Sequence, residues 1–149
     1  MPRSINEVAV AALARREHSI LQIQRKLTQK GFEEAEINAA INHLTENNLL
    51  SEERFTESYI NMRKRRGYGP IRIAQELRER GISDTLFCGF LDKNNPQWRE
   101  VMRQQYVKKY ADSEAHEYAE KVRRAKYLQS RGFPLDWVFK LNSIDLYDE

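Results

Sequence analysis

Three stretches of this chain spell the same pattern: Leu27-Thr28-Gln29-Lys30-Gly31-Phe32, Leu77-Arg78-Glu79-Arg80-Gly81-Ile82 and Leu128-Gln129-Ser130-Arg131-Gly132-Phe133. Each is Leu, two polar residues, a cation, Gly and a large apolar residue. The glycines stand 50 and 51 residues apart. The physics of each copy is that of a helix ending. The cation faces the negative end of the helix dipole. Gly takes the left-handed conformation just past the cap, and the following apolar residue folds back onto the Leu one turn earlier. Apolar residues follow at matched offsets: Ile37, Phe87 and Val138 six past each Gly, then Ile41 and Leu91 at ten, with Leu141 one short. A period of about 50 residues with helical patterning predicts a helical repeat array.

The expected fold is all-α, with three tandem three-helix repeats over 1–50, 51–95 and 96–149. At 149 residues a single domain is possible on size, but each repeat is too small to bury a core by itself. Charged residues make up 32% of the chain, above the usual quarter or so, which suits a soluble protein. No apolar run approaches the ~20 residues of a membrane span, and Met1-Pro2-Arg3-Ser4-Ile5 lacks the core of a signal peptide. One cysteine allows no internal disulfide, so the expected location is the cytoplasm.

Ser4-Ile5-Asn6-Glu7 and Ser19-Ile20-Leu21-Gln22 are capping-box patterns that open the first two helices. Ile5, Val8, Ala9, Ala12 and Leu13 form one apolar face, and Ile20, Ile23 and Leu27 the next. A third helix from about Glu33 turns Ile37, Ala40, Ile41 and Leu44 inward and stops at Asn47-Asn48. Three helices of ~12 residues, each ~18 Å long, make this first unit, and the second repeat follows the same plan. In the second repeat Ser51 caps a helix carrying Phe55, Tyr59 and Met62. Gly67-Tyr68-Gly69-Pro70 then breaks the chain, Pro70 starts the next helix, and Ser83 caps a third with Phe87, Phe90 and Leu91 in the core. Asp92-Lys93-Asn94-Asn95-Pro96 reads as a linker. In the third repeat Trp98, Val101, Met102 and Tyr106 share a face, Ser113 caps a longer helix ending at Gly132, and Pro134 opens the last. The tail from Asn142 is short and acidic, and is expected to fray.

The chain offers little for catalysis. Cys88 lies in Leu86-Phe87-Cys88-Gly89-Phe90-Leu91 with no cation beside it, the setting of a buried inert thiol. His18, His43 and His116 are far apart and form no metal-ligand spacing, and His18 suits an orienting or surface role before a helix cap. Glu33, Glu34, Glu36 and Glu46 read as a solvated helix face, and no phosphate-cradling loop is present. An enzyme is not expected, and no metal or cofactor is called for. A helix-turn-helix reading also fails on charge. The first turns of the three third helices read Glu33-Glu34-Ala35-Glu36, Ser83-Asp84-Thr85 and Pro134-Leu135-Asp136, each with an acid and none with a cation. Carboxylates there would be pushed against a polyanion.

The basic residues are more informative. From Glu33 to Glu57 stand seven acids and one base; from Tyr59 to Arg80 stand seven bases and two acids. Arg63, Lys64, Arg65, Arg66 and Arg72 concentrate around the Gly67–Pro70 turn, where guanidiniums can meet carboxylates or phosphates bidentately. A second field comprises Lys108, Lys109, Lys121, Arg123, Arg124 and Lys126, with Tyr106, Tyr110 and Tyr127 among them. These two clusters are the candidate partner- and DNA-binding residues. Separate acidic and basic faces suit a partner of both signs, or one that includes nucleic acid.

Arg15-Arg16-Glu17-His18-Ser19, Lys30-Gly31-Phe32, Glu53-Arg54-Phe55, Arg63 through Gly67-Tyr68-Gly69-Pro70-Ile71-Arg72-Ile73, Glu76-Leu77-x-x-Arg80-Gly81-Ile82 and Arg131-Gly132-Phe133 together resemble the RecX family of bacterial recombination regulators. The match runs in order along nearly the whole chain. It departs at Glu53 and Thr56, where the family more often has Asp and Ala. The resemblance implies tandem three-helix repeats in an elongated, curved array. It also implies a protein that binds the RecA filament on single-stranded DNA, lies in its groove across neighbouring protomers, and suppresses ATP hydrolysis, strand exchange and filament extension; a monomer is expected. The competing class is a stand-alone helical nucleic-acid-binding protein.

Overall fold

A computed structural model describes residues 3–111 and 113–142, and these are all-α with nine helices. They are α1 (Ile5–Arg15), α2 (Ile20–Gln29), α3 (Glu34–Glu46), α4 (Glu52–Arg65), α5 (Pro70–Glu79), α6 (Asp84–Phe87), α7 (Gln97–Tyr110), α8 (Tyr118–Ser130) and α9 (Leu135–Leu141). Their starts follow the local chemistry. Ser4 accepts from the Glu7 amide, Ser19 and Gln22 form a reciprocal capping box, and Ser83 accepts from the Leu86 amide. Ser51 accepts from the Arg54 amide, and α5 begins at Pro70.

The three repeated stops share one geometry. Gly31, Gly81 and Gly132 have φ of 90°, 82° and 103°. In each the residue after Gly donates its amide to the carbonyl of the repeat's Leu: Phe32 to Leu27 at 3.2 Å, Ile82 to Leu77 at 3.0 Å, Phe133 to Leu128 at 3.3 Å. This is the Schellman closure, which satisfies carbonyls left over at a helix end. Asn48, at φ 58°, closes α3 the same way, with Leu49 donating to Leu44 at 2.9 Å.

Tertiary contacts divide the chain into two compact units: residues 1–59 with 77–90, and residues 60–76 with 91–149. In the first, α1, α2 and α3 pack on one another around Ala9, Ala12, Ile23, Leu27, Ile37 and Leu44. His18 and Ser19 are buried there too. Arg54 ties Glu17 at 2.9 Å to the carbonyls of Asn48 and Leu49, and Glu52 accepts from the Ile20 amide at 3.1 Å. In the second unit α8 packs on α9 around Met102, Ala125, Leu128, Phe133 and Val138.

Several expectations are corrected. Helices of about a dozen residues hold for the first repeat, but α6 is four residues and α9 seven. After Phe87 comes Cys88-Gly89, and a glycine inside a helix costs about 1 kcal/mol relative to alanine, so the turn is not propagated. Cys88 is therefore exposed rather than buried, and Phe90 is 40% exposed, while Phe87 and Leu91 are buried. His18 is only 5% exposed, not a surface residue. Its Nδ1 lies 3.0 Å from the Arg16 carbonyl. Burial lowers its pKa, assisted by the nearby Arg16 and Lys26 cations and opposed by that backbone contact. Ser113 does not cap α8, which starts at Tyr118 after Glu117; its oxygens are taken by Arg124 instead. Asn142 is buried, its Nδ2 donating to the Val138 carbonyl at 2.8 Å. The acidic tail beyond it, residues 143–149, and Met1 and Pro2 of the segment read for a signal peptide, lie outside the described residues.

Two outcomes follow from this geometry. A Cβ on Gly31 meets nothing within 4 Å, whereas one on Gly132 would sit 2.6 Å from the Arg72 amide nitrogen. Gly31→Ala is expected to cost only the left-handed backbone penalty of about 1–2 kcal/mol. Gly132→Ala is expected to cost more than twice that in urea unfolding, because backbone must move. Cys88 is expected to react with a thiol reagent in the native protein within about tenfold of its rate in the unfolded chain; labelling seen only after denaturation would return it to the core.

Candidate functional site

The break between α4 and α5 is a fourth stop of the same kind. Gly67 has φ 84°, and Tyr68 donates its amide to the Arg63 carbonyl at 3.1 Å. Arg63 thus holds the position that Leu27, Leu77 and Leu128 hold in the other stops. The side-chain contact between those two positions, usually apolar, is here a cation on an aromatic face. The Arg63 guanidinium carbon lies 3.7 Å from the Tyr68 ring centroid.

Two more guanidiniums converge on that ring, Arg131 at 3.8 Å and Arg72 at 4.5 Å. Backbone contacts bring them there. Gly69 donates to the Arg131 carbonyl at 2.7 Å and Ile71 to the Gly132 carbonyl at 3.0 Å, so the Gly67–Pro70 turn is seated on the third repeat's stop. Arg131 donates back to the carbonyls of Arg66 and Gly67, and Arg72 to the Ser130 carbonyl at 3.1 Å. The Glu76 carboxylate meets two of these cations. Glu76 takes a bidentate pair from Arg63 at 2.8 and 2.8 Å and a longer contact from Arg72 at 3.4 Å. The side chains of Arg63 and Glu76 are 13% and 15% exposed, so this pair is largely withdrawn from water. At the Tyr68 phenol, burial pulls the pKa up, but Arg131, Arg63 and Arg72, with a hydrogen bond from Arg63, outweigh it and bring it below the ordinary tyrosine value.

The first basic cluster therefore divides. Arg63 and Arg72 are held in the mount around Tyr68. Lys64 donates to Gln97 at 2.9 Å and lies 5.1 Å from the Trp98 ring centroid. Arg65 and Arg66 are exposed and make no side-chain hydrogen bond or ion pair among the described residues.

The second field divides too. Arg124, only 5% exposed, is taken out of the candidate surface. It donates to the Tyr106 hydroxyl at 2.8 Å, the Ser113 carbonyl at 2.9 Å, the Ser113 hydroxyl at 3.0 Å and Glu120 at 3.1 Å, and lies over Tyr110 at 4.3 Å. Tyr106, Tyr110 and Tyr127 cluster beside it with centroids 5.2 and 6.0 Å apart, and burial raises the Tyr110 pKa. Arg123 pairs with Glu120 at 2.9 Å, and Lys109 lies 5.1 Å from the Tyr127 centroid. Lys108 and Lys126 are exposed and Lys121 half-buried, none in a side-chain hydrogen bond or ion pair among the described residues.

Comparison with known proteins gives the family of the chain. Residues 7–44 match the family model of the RecX first three-helix domain, and residues 51–86 that of the RecX second three-helix domain. The chain is 37% identical over 142 residues to the regulatory protein RecX of Pseudomonas savastanoi pv. phaseolicola, covering 95% of this chain and 92% of that one. It is 35% identical over 140 residues to that of Ectopseudomonas mendocina, covering 94% and 93%. The chain belongs to the RecX family. The fold agrees. A crystal structure of regulatory protein RecX superposes with a TM-score of 0.77 at 19% identity, covering 93% of this chain and 73% of that one. The structure of RecX from Lactobacillus salivarius gives 0.74 at 19%, covering 93% and 94%. RecX proteins are a regulatory family, not an enzyme family.

For this RecX chain the sequence reading missed Arg131 and Glu76 as parts of the cluster, and Tyr68 as its centre. A signal for Tyr68 was available. Arg66-Gly67-Tyr68 repeats the cation, Gly, large-residue ending of the other stops, with Arg63 where Leu is usual. Nothing local points to Arg131, which reaches the ring from 63 residues away.

The Tyr68 phenol supplies a test of the mount. Its folded pKa is depressed, so its phenolate favours the folded state. That contribution is absent at neutral pH, grows as pH rises through the folded pKa, and is full above the unfolded value near 10. A spectrophotometric titration of native protein at the phenolate band is expected to lose its earliest step in Tyr68→Phe. An unchanged first step would show that the three cations do not act on this ring.

Proposed function

We propose that this protein binds the RecA filament on single-stranded DNA as a monomer. It lies in the filament groove across neighbouring protomers and suppresses ATP hydrolysis, strand exchange and extension. In this reading the three repeats, 1–50, 51–95 and 96–149, are the units of an array that follows the groove. Membership of a regulatory family, at 37% identity over 95% of the chain, supports the general role. The observation that carries the site is the division of the first basic cluster. Arg63, Arg72 and Arg131 are fixed on Tyr68, and the exposed side chains of Arg65 and Arg66 remain available at the end of α4. Lys108 and Lys126, with Lys109 and Lys121, form a second contact field. Guanidiniums in that position meet protein carboxylates or DNA phosphates equally well, which suits a nucleoprotein partner.

The test is the double charge reversal Arg65→Glu/Arg66→Glu. Both are surface positions, so melting temperature should move by no more than a degree or two, in line with about half a kcal/mol for such changes. Suppression of RecA ATPase should need at least about tenfold more protein, since like charges set opposite one another cost several kcal/mol. A folded variant that inhibits at wild-type concentration would overturn the assignment. A parallel arm measures binding to naked single-stranded DNA. Binding to naked DNA as tight as to the filament at matched salt, falling steeply as salt rises, would favour the stand-alone nucleic-acid reading.

A further inference from the structure

The first thirty residues hold a basic surface that the charge pattern further along the chain obscures. From Arg3 to Lys30 stand six bases (Arg3, Arg15, Arg16, Arg25, Lys26, Lys30) and two acids (Glu7, Glu17). Glu17 is taken by Arg54 at 2.9 Å. Between α1 and α2 lies a cleft of about 520 Å³, within the usual range for binding sites. Its floor is Val8, Ala11 and Ala12, one face of α1 at spacings of three and four, and it is closed by Phe32, the residue that folds back at the first stop. The small alanines are what leave the space open. Its rim is Arg3, Arg15, Lys26 and Lys30, and among the described residues no acid lines it. None of these four cations makes a side-chain hydrogen bond or ion pair among the described residues. Lys26, in the last turn of α2, and Lys30, at its C-cap, also border a second cleft with Arg16 and Arg25, so positive charge continues over that ridge.

An apolar floor inside an unneutralised cationic rim is complementary to one kind of ligand. We propose that this cleft binds an acidic peptide segment of a partner protein. Its apolar side chains would seat on Val8, Ala11, Ala12 and Phe32, and its flanking carboxylates would pair with Arg3, Arg15, Lys26 and Lys30. Charge alone would admit a nucleic acid. The floor decides against it, because single strands are held by aromatic faces on which successive bases stack, and among the described residues Phe32 is the only aromatic ring lining this cleft. Aliphatic walls take Leu, Ile or Phe side chains instead. The site lies within the first compact unit and does not depend on the role proposed for Arg65 and Arg66.

Fluorescence anisotropy with three labelled probes tests this on the full chain. They are a short peptide with Leu and Phe spaced among Asp and Glu, the same peptide with its apolar residues replaced by Ser, and an oligo-dT of equal net charge. The first is expected to bind at least about tenfold more tightly than the other two at matched salt. Lys26→Gln/Lys30→Gln is expected to weaken it by about tenfold, while Arg65→Glu/Arg66→Glu leaves it unchanged. NMR shift changes on the wild-type chain should centre on Val8, Ala11 and Phe32, a readout that holds even if the lysine variant folds poorly. Equal binding of the Ser-substituted peptide, tighter binding of oligo-dT, or shift changes elsewhere would each overturn the proposal.

Discussion

In the second compact unit the basic cluster around Tyr68 is assembled by two backbone hydrogen bonds, Gly69 to the Arg131 carbonyl and Ile71 to the Gly132 carbonyl. A helix ends with carbonyls that have no partner inside the helix. Here the residues that close α8 offer carbonyls to the amides of Gly69 and Ile71, some sixty residues earlier, where the turn runs into α5. The approach is so close that Gly132 has no room for a side chain against Arg72. A helix-terminating device has become a docking surface, and that contact brings Arg131 to the ring that Arg63 meets at the end of α4.

Once the turn is seated, electrostatics determines what the cations do. Three guanidiniums around Tyr68 bring positive charge into a partly dry site, where Glu76 meets two of them. The aromatic face and the carbonyls of Arg66, Gly67 and Ser130 disperse that charge. Residues next to each other in sequence thus take different roles. Arg63 points into the mount, and Arg65 and Arg66, further round the helix, face water. Arg124 repeats the lesson in the third repeat: a cation in a basic stretch is buried because Tyr106, Ser113 and Glu120 present acceptors to it.

Much of the fold was legible because it is local. Ser19 and Gln22 cap α2 through contacts three residues apart, and each Gly stop closes within six residues, so the chain carries that information in short words. The first repeat, with full apolar stripes, reads almost residue for residue. The misses lie where a local signal was weak or a distant partner intervened. Cys88 and Phe90 looked like core on the assumption of a full third helix, but Gly89 ends the turn and leaves both exposed. Ser113 looked like a cap, but its oxygens bind an arginine eleven residues away.

The sequence by itself determined the helical class, the repeat period, most helix ends and the apolar faces, because each rests on backbone and side-chain chemistry within a turn or two. It also carried the family resemblance, in motifs that sit at those same helix ends. Only tertiary structure decided which cations are free. That depends on how many acceptors surround each guanidinium, and the acceptors come from elsewhere in the chain: Arg131 reaches Tyr68 because two backbone amides hold their segments together. The basic rim over the α1–α2 cleft was likewise visible only in space. Its cations come from four separated positions, and what unites them is the apolar floor they share.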